Sequence, residues 1–109
     1  MNKVYVSSPF RGDEDGNVAK ARWYARYVAD EGYLPVVPHI YFTQFLRDHI
    51  PEERNKAMQM NRVLLLECSE LWVFGNVISE GMKQEIEWAK AAGIPIRYFD
   101  ERMVESAHG

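Results

Sequence analysis

The sequence predicts an α/β fold: a mainly parallel sheet of four or five strands with helices on both faces. Three observations carry that expectation. Short apolar runs alternate with longer stretches of helical periodicity, the pattern left by βαβ units. Gly32 and Gly93 stand where two of the helical stretches should stop, each just before an apolar run. The chain has 109 residues, of which 47% are hydrophobic, enough for one buried core without disulfide staples.

The elements follow in order. Residues 3–7 read as the first strand, and 9–16 (PFRGDEDG) as a turn-rich loop. Asn17 is placed to cap the next helix, which runs to about Glu31. Ala21, Ala25, Val28 and Ala29 recur at helical spacing and suit close packing on a sheet. Residues 34–37 are the second strand, and 39–48 a loop with a short helical turn. Pro51 opens a third helical stretch that ends near Cys68. Residues 71–74 form a strand carrying Trp72 and Phe74 into the core. A loop follows to Ile78, and Ser79 then caps a helix ending before Gly93. Residues 94–99 are the last strand. The polar tail from about residue 100 is expected to fray or to dock on a neighbour. Residues 1–109 are expected to form a single domain.

Several function classes fall away. Cys68 is the only cysteine, so no internal disulfide or multi-cysteine zinc site can form, and a reducing compartment is expected. His39, His49 and His108 make no HExxH-type spacing, so no metal is expected. No apolar run approaches the ~18 residues of a membrane helix. The N-terminal apolar stretch is too short for a signal peptide. The expectation is a cytoplasmic protein without membrane contact. Net charge is -3 with no long basic block, which argues against a nucleic-acid polymer as partner. Neither GxGxxG nor GxxxxGK[ST] occurs, so hydride transfer and nucleoside-triphosphate hydrolysis are disfavoured, and no cofactor is expected. Ser7 and Ser8 have no serine-hydrolase His/Asp arrangement around them.

Two polar residues sit where apolar ones belong. At roughly 100° per residue, Glu80, Lys83, Gln84, Glu87 and Lys90 share a polar arc, and Gly81, Met82, Ile86, Trp88 and Ala89 the opposite one. Glu85 lies near the centre of the apolar arc. Glu87, by contrast, can pair with Lys83 at i, i+4. An inward carboxylate is costly unless it is paired or faces a cavity. It is therefore either a buried salt bridge, to an arginine for example, or a functional group. On the third helix, Asn61 interrupts the stripe Ala57, Leu64, Leu65, Cys68 in the same way; an amide bonded to nearby backbone is the simpler reading.

The loop Ser7-Ser8-Pro9-Phe10-Arg11-Gly12 follows the first strand, at the sheet edge where open α/β folds bind ligands. Its hydroxyls, glycine and arginine can hold a phosphate or a sugar hydroxyl. His39, just after the second strand, could reach the same rim. Tyr5 lies within the first strand, and its hydroxyl needs a partner if buried. Met58, Met60 and Met82 suit core filling.

With these residues in view, the chain resembles the nucleoside 2-deoxyribosyltransferase-like superfamily, in particular its short bacterial and phage branch. The resemblance covers about residues 3 to 99. It rests on KVYVSSPFRG, VVPHIYFTQFL and above all CSELWVFGNVISEGMKQEIEWAKAAGIPI. It implies a flavodoxin-like three-layer sandwich with the site at the carboxyl edge, a small nucleoside or nucleotide as partner, and a homo-oligomer. It implies that Glu85 attacks the anomeric carbon, that Tyr5 orients it, and that Ser79 helps hold a 5′-phosphate. Ser8, Arg11 and Gly12 then resemble a phosphate- and sugar-binding turn, with Ser7, Phe10, His39, Gly81 and Met82 completing the substrate-binding set. Asn61 stands where the transferases carry an aspartate that assists the leaving base, and Ser69 where many relatives have aspartate. An amide has no titratable proton, so assistance is expected from Asp13 or Glu14, or is absent. The implied activity is cleavage or transfer of an N-glycosidic bond, with a 5′-phosphorylated substrate and hydrolysis preferred. A non-catalytic nucleotide-binding module is the second reading. The third is a phosphoribohydrolase of the lysine-decarboxylase-like group, whose GGxGTxxE loop shares only the Gly81-to-Glu85 spacing.

Overall fold

A computed structural model describes residues 1–106. Five strands form one sheet: β1 (Lys3–Ser7), β2 (Leu34–Val36), β3 (Glu70–Phe74), β4 (Ile96–Phe99) and β5 (Glu105–Ser106), in the order β2-β1-β3-β4-β5. The first four are mutually parallel, and β5 runs antiparallel to β4. The helices are α1 (Glu14–Asp30), α2 (Pro38–Tyr41), α3 (Pro51–Leu66) and α4 (Glu80–Ala92), with a 3-10 turn at Phe42–Gln44. This is the flavodoxin-like α/β arrangement that the sequence predicts. Among the described residues, no helix is long and apolar enough to cross a membrane.

Strand alternation divides the core in two. Val4, Val6, Trp72, Phe74 and Phe99 face α1 and pack with Tyr24 and Val28. Tyr24 stacks on Phe74 with centroids 4.5 Å apart, and Phe74 on Phe99 at 4.8 Å. Such a pair contributes about 0.5–1.5 kcal/mol beyond its buried area. Tyr5, Leu71 and Val73 point the other way, towards Leu65, Cys68, Met82 and Ala89 of the α3–α4 side. By the same alternation Ser7 shares the face of Tyr5. That parity delivers two hydroxyls to α4.

Four expectations need correction. The first long helix begins at Glu14, and Asp13, not Asn17, caps it by accepting from the Gly16 N–H at 3.2 Å. Asn17 lies inside the first turn and donates its side-chain amide to the Phe10 carbonyl (2.9 Å) and the Arg11 carbonyl (3.2 Å), tying down the loop before it. On the sheet face of α1 the buried residues are Ala21, Tyr24 and Val28, while Ala29 is exposed. An aromatic ring takes the place expected of a small residue. The polar tail does not fray through residue 106. Asp100 accepts from the Arg102 and Val104 N–H groups at 2.8 and 3.0 Å, turning the chain back. The returning strand β5 pairs with β4, and Glu105 makes two 2.7 Å bonds with the Arg97 guanidinium. Glu87 makes no salt bridge with Lys83; Lys83 meets Glu80 instead, at 3.5 Å on the exposed face. His108 lies outside the described residues.

Candidate functional site

The site begins where β1 and β3 end. Gly75, directly after β3, has φ +110°, and a side chain there would also meet the Pro9 ring at 3.4 Å. A non-glycine residue resists this conformation. The loops after the two central strands thus lie against each other, and α4 starts just beyond them. Ser79 caps it, its Oγ accepting from the Met82 N–H at 3.3 Å.

Glu85 lies in the second turn of α4 and is only 8% exposed. The Tyr5 hydroxyl donates to its Oε2, and the Ser7 hydroxyl donates to its Oε1 at 2.7 Å. No salt bridge to Glu85 occurs among the described residues. The carboxylate is therefore held by two neutral donors rather than a guanidinium. Burial raises its pKa to about 7, while the bonds from Tyr5 and Ser7 pull in the opposite direction. Burial, with the neighbouring Glu85 next in weight, raises the Tyr5 phenol well above its usual value, so Tyr5 stays a donor.

Glu85 also lines a cavity of about 380 Å³, a size ordinary for small-molecule sites. Ser8, Phe10, Arg11, His39, Asn61, Ser79, Gly81 and Met82 share that lining. Tyr5 and Ser7 stand behind Glu85 and do not line the cavity. Gly12 is outside the lining as well, in an exposed turn with φ +100°. His39 Nε2 and Ser8 Oγ are 2.9 Å apart, and burial lowers the His39 pKa to about 4. The imidazole is thus neutral near pH 7.

Two expectations about the rim change. The Arg11 guanidinium is bound by the Asp48 carboxylate and reaches the Asp48 carbonyl at 3.3 Å. It is not an unengaged phosphate ligand. Asp13 and Glu14 are exposed around the start of α1 and are not among the residues that line the cavity. The simpler reading of Asn61 also changes: its buried Oδ1 has no hydrogen-bond partner.

Sequence reasoning missed part of the wall. Phe42, Thr43, Leu46, Arg47, Asp48, Glu53, Arg54, Ala57 and Met58 come from the segment before α3 and from its first two turns. Arg54, Ala57, Met58 and Asn61 follow i, i+3, i+4, i+7, so they form one stripe. That spacing was legible, but an arginine at a helix start reads as solvated. Arg54 has no carboxylate partner within salt-bridge distance among the described residues. Nor is any group of three His, Cys, Asp or Glu among these residues placed to hold a metal ion.

Solved structures with the same fold include the 2-deoxyribosyltransferase of Bacillus psychrosaccharolyticus and that of Leishmania mexicana. The first has a TM-score of 0.72 at 17% identity, over 90% of this chain and 72% of the other. The second has a TM-score of 0.58 at 19% identity, over 92% of this chain and 65% of the other. This chain therefore spans about two-thirds to three-quarters of their lengths and has the nucleoside 2-deoxyribosyltransferase-like fold. No curated protein sequence matches it. A family model described as a domain of unknown function, DUF7768, matches residues 2–99, and the chain belongs to that family.

Proposed function

We propose that the protein cleaves or transfers the N-glycosidic bond of a nucleoside or nucleoside 5′-monophosphate, with Glu85 as nucleophile. The observation that carries this reading is the position of Glu85: on the wall of a ligand-sized cavity, oriented by Tyr5 and Ser7, and without a salt-bridge partner among the described residues. In the first step a Glu85 oxygen bonds to the anomeric carbon. The carbon–nitrogen bond breaks, its electron pair leaves with the base, and the base takes a proton from water. In the second step a water or the N–H form of a second base attacks the same carbon and gives up one proton, and Glu85 leaves as carboxylate; that proton balances the one taken from water in the first step. The oxocarbenium-like transition state favours a close, water-shielded carboxylate. Tyr5 and Ser7 favour the ionised form that attack requires.

A 5′-phosphate is the preferred handle, and hydrolysis the preferred outcome. Arg54 supports the phosphate, because it lines the cavity with no carboxylate within salt-bridge distance among the described residues, whereas Arg11 is engaged by Asp48. Ser79 and the start of α4 line the same space. Within this reading Ser8, His39, Phe10, Gly81 and Met82 contact substrate, and Gly12 acts only through the turn. A homo-oligomer and a cytoplasmic setting remain part of the proposal.

The test is free-base release from a panel of nucleosides and nucleoside monophosphates. Release that disappears in Glu85→Ala is expected; no release from any member defeats the catalytic reading. One observation favours a second reading, a nucleotide-binding module without turnover: Asn61 brings no titratable proton to the cavity wall. Tight binding in calorimetry without base release would select it.

A further inference from the structure

The segment 42–50, between α2 and α3, supplies Phe42, Thr43, Leu46, Arg47 and Asp48 to the wall of the Glu85 cavity. No residue of this segment is fully buried. Its hydrogen bonds are mostly local. Thr43 and Gln44 donate to the carbonyls of His39 and Ile40, the Arg47 N–H donates to Glu53 Oε1 at 2.8 Å, and the Ile50 carbonyl accepts from the Arg54 N–H. The rings of Tyr41, Phe42 and Phe45 pack on one another with centroids 5.2, 5.5 and 6.0 Å apart, so the segment coheres within itself. One polar link carries it beyond residues 37–54 among the described residues: the Arg11 guanidinium donates to the Asp48 carboxylate and, at 3.3 Å, to the Asp48 carbonyl. The Arg11 end is anchored, because the Asn17 amide holds the Phe10 and Arg11 carbonyls against α1. The root of the segment is anchored as well, by His39 of α2 meeting Ser8 at 2.9 Å. A coherent stretch with a fixed root and a single distant polar tie swings about its root when the tie breaks.

We propose that residues 42–50 form a strap across the Glu85 cavity, and that the Arg11–Asp48 ion pair is its clasp, which salt loosens and which sets how fast molecules enter. The pair joins the loop after β1 to the strap, and both of its residues line the cavity, so it links two walls of one space. Its side chains are 55% and 28% exposed, which decides its strength. Exposed pairs hold weakly, and dissolved ions weaken them further. A buried pair would lock the strap shut; this one lets it open often and close again. The device rests on the cavity and not on turnover, since a glycosidase and a binding module both need a ligand to enter and leave.

The experiment measures access to the cavity without any ligand. Ala57 lines the cavity from α3, so Ala57→Cys in the full chain places a thiol behind the strap. Iodoacetamide, an uncharged reagent, labels it, and mass spectrometry of peptides separates it from Cys68, which is buried. Labelling should speed up by about two- to fivefold when salt rises from ~20 mM to ~0.5 M. Adding Asp48→Ala or Arg11→Ala should give the fast rate already at low salt and remove the salt response. The two together should be no faster than either alone, since both break one contact. Exchanging the charges, Arg11→Asp with Asp48→Arg, should restore the slow, salt-sensitive rate that Arg11→Asp alone loses. Thermal melting checks that each variant folds; where one does not, the salt response of the Ala57→Cys chain decides. A thiol that reacts as fast as free cysteine at low salt overturns the proposal, and so does a rate that salt leaves unchanged. A salt response that survives in Asp48→Ala, or additive effects of the two alanine variants, overturns it equally. Clasp-dependent labelling without base release from any nucleoside or nucleotide leaves the strap standing and removes the glycosidase reading. Base release with labelling indifferent to the clasp does the reverse.

Discussion

Tyr5 and Glu85 lie 80 positions apart in the chain, yet the phenol donates directly to the carboxylate. The contact exists because β1 is central in the sheet and its odd-numbered residues face α4. Removing the phenol while keeping the ring isolates what the bond does. Tyr5→Phe removes a donor to the charged form, so the Glu85 pKa should rise above its value of about 7. If Glu85 attacks as carboxylate, the rate increases as pH rises through that pKa. The variant should be about 10–100-fold slower at pH 7, as loss of a hydrogen bond to a charged group implies, and recover part of the loss by pH 9. A pH–rate profile that keeps its midpoint would contradict the assignment.

Two buried groups oppose each other in the pH dependence of folding. Glu85 has a folded pKa raised from 4.5 to about 7, so its stabilising effect is complete below 4.5 and is lost as pH rises through 7. His39 has a folded pKa lowered from 6.5 to about 4, so its effect is present above 6.5 and is lost as pH falls through 4. The windows overlap and the slopes cancel in large part. Glu85→Gln should be more stable than the parent at pH 8, by up to about 3 kcal/mol, and should expose a stability that climbs from pH 4 to 6.5. His39→Asn should expose the opposite slope. Urea titrations at five or six pH values measure both.

The two arginines at the rim should behave differently. Arg54→Ala should raise KM for a 5′-monophosphate by about tenfold or more while leaving the unphosphorylated nucleoside nearly unchanged, as loss of a charged hydrogen bond implies. Arg11→Ala should affect both substrates alike, because its guanidinium ties its loop to Asp48 rather than standing free. Equal phosphate selectivity in the two variants would remove Arg54 from the anion site.

Gly75 offers a test of the scaffold. Gly75→Ala places a side chain at φ +110° and against the Pro9 ring. The expected cost is about 1–3 kcal/mol, read as a lower denaturation midpoint. Activity should fall as well, since Pro9 stands between Ser8 and Phe10, which both line the cavity. A neutral effect on both would show that the two loops move independently.

Much of this arrangement could be read from residue order. The short apolar strand runs, the inward position of Glu85 and the Ser79 cap all follow from local pattern. Glu85 was anomalous on its helix, and the structure resolves that anomaly with Tyr5 and Ser7 rather than an arginine. What stayed hidden depends on distant partners. Arg11 looked free because Asp48 is 37 positions away. Arg54 drew no notice because only the folded chain brings the start of α3 to the cavity that α4 also lines. Asp13 takes the cap expected of Asn17 because either can cap a helix, and local sequence does not say which carbonyls of the preceding loop will need a donor. The tail looked like a frayed end because its turn depends on one side chain, Asp100, gathering two amides.

That returning tail changes how the protein meets other chains. Without it, β4 would offer four residues of unpaired backbone to any extended peptide. With it, that border among the described residues is a strand of two residues carrying Glu105, and the opposite border is the three-residue β2 with Pro35 at its centre. Short margins that carry charge or proline are poor templates for strand addition. The fold thus guards itself against sheet-to-sheet aggregation at both borders.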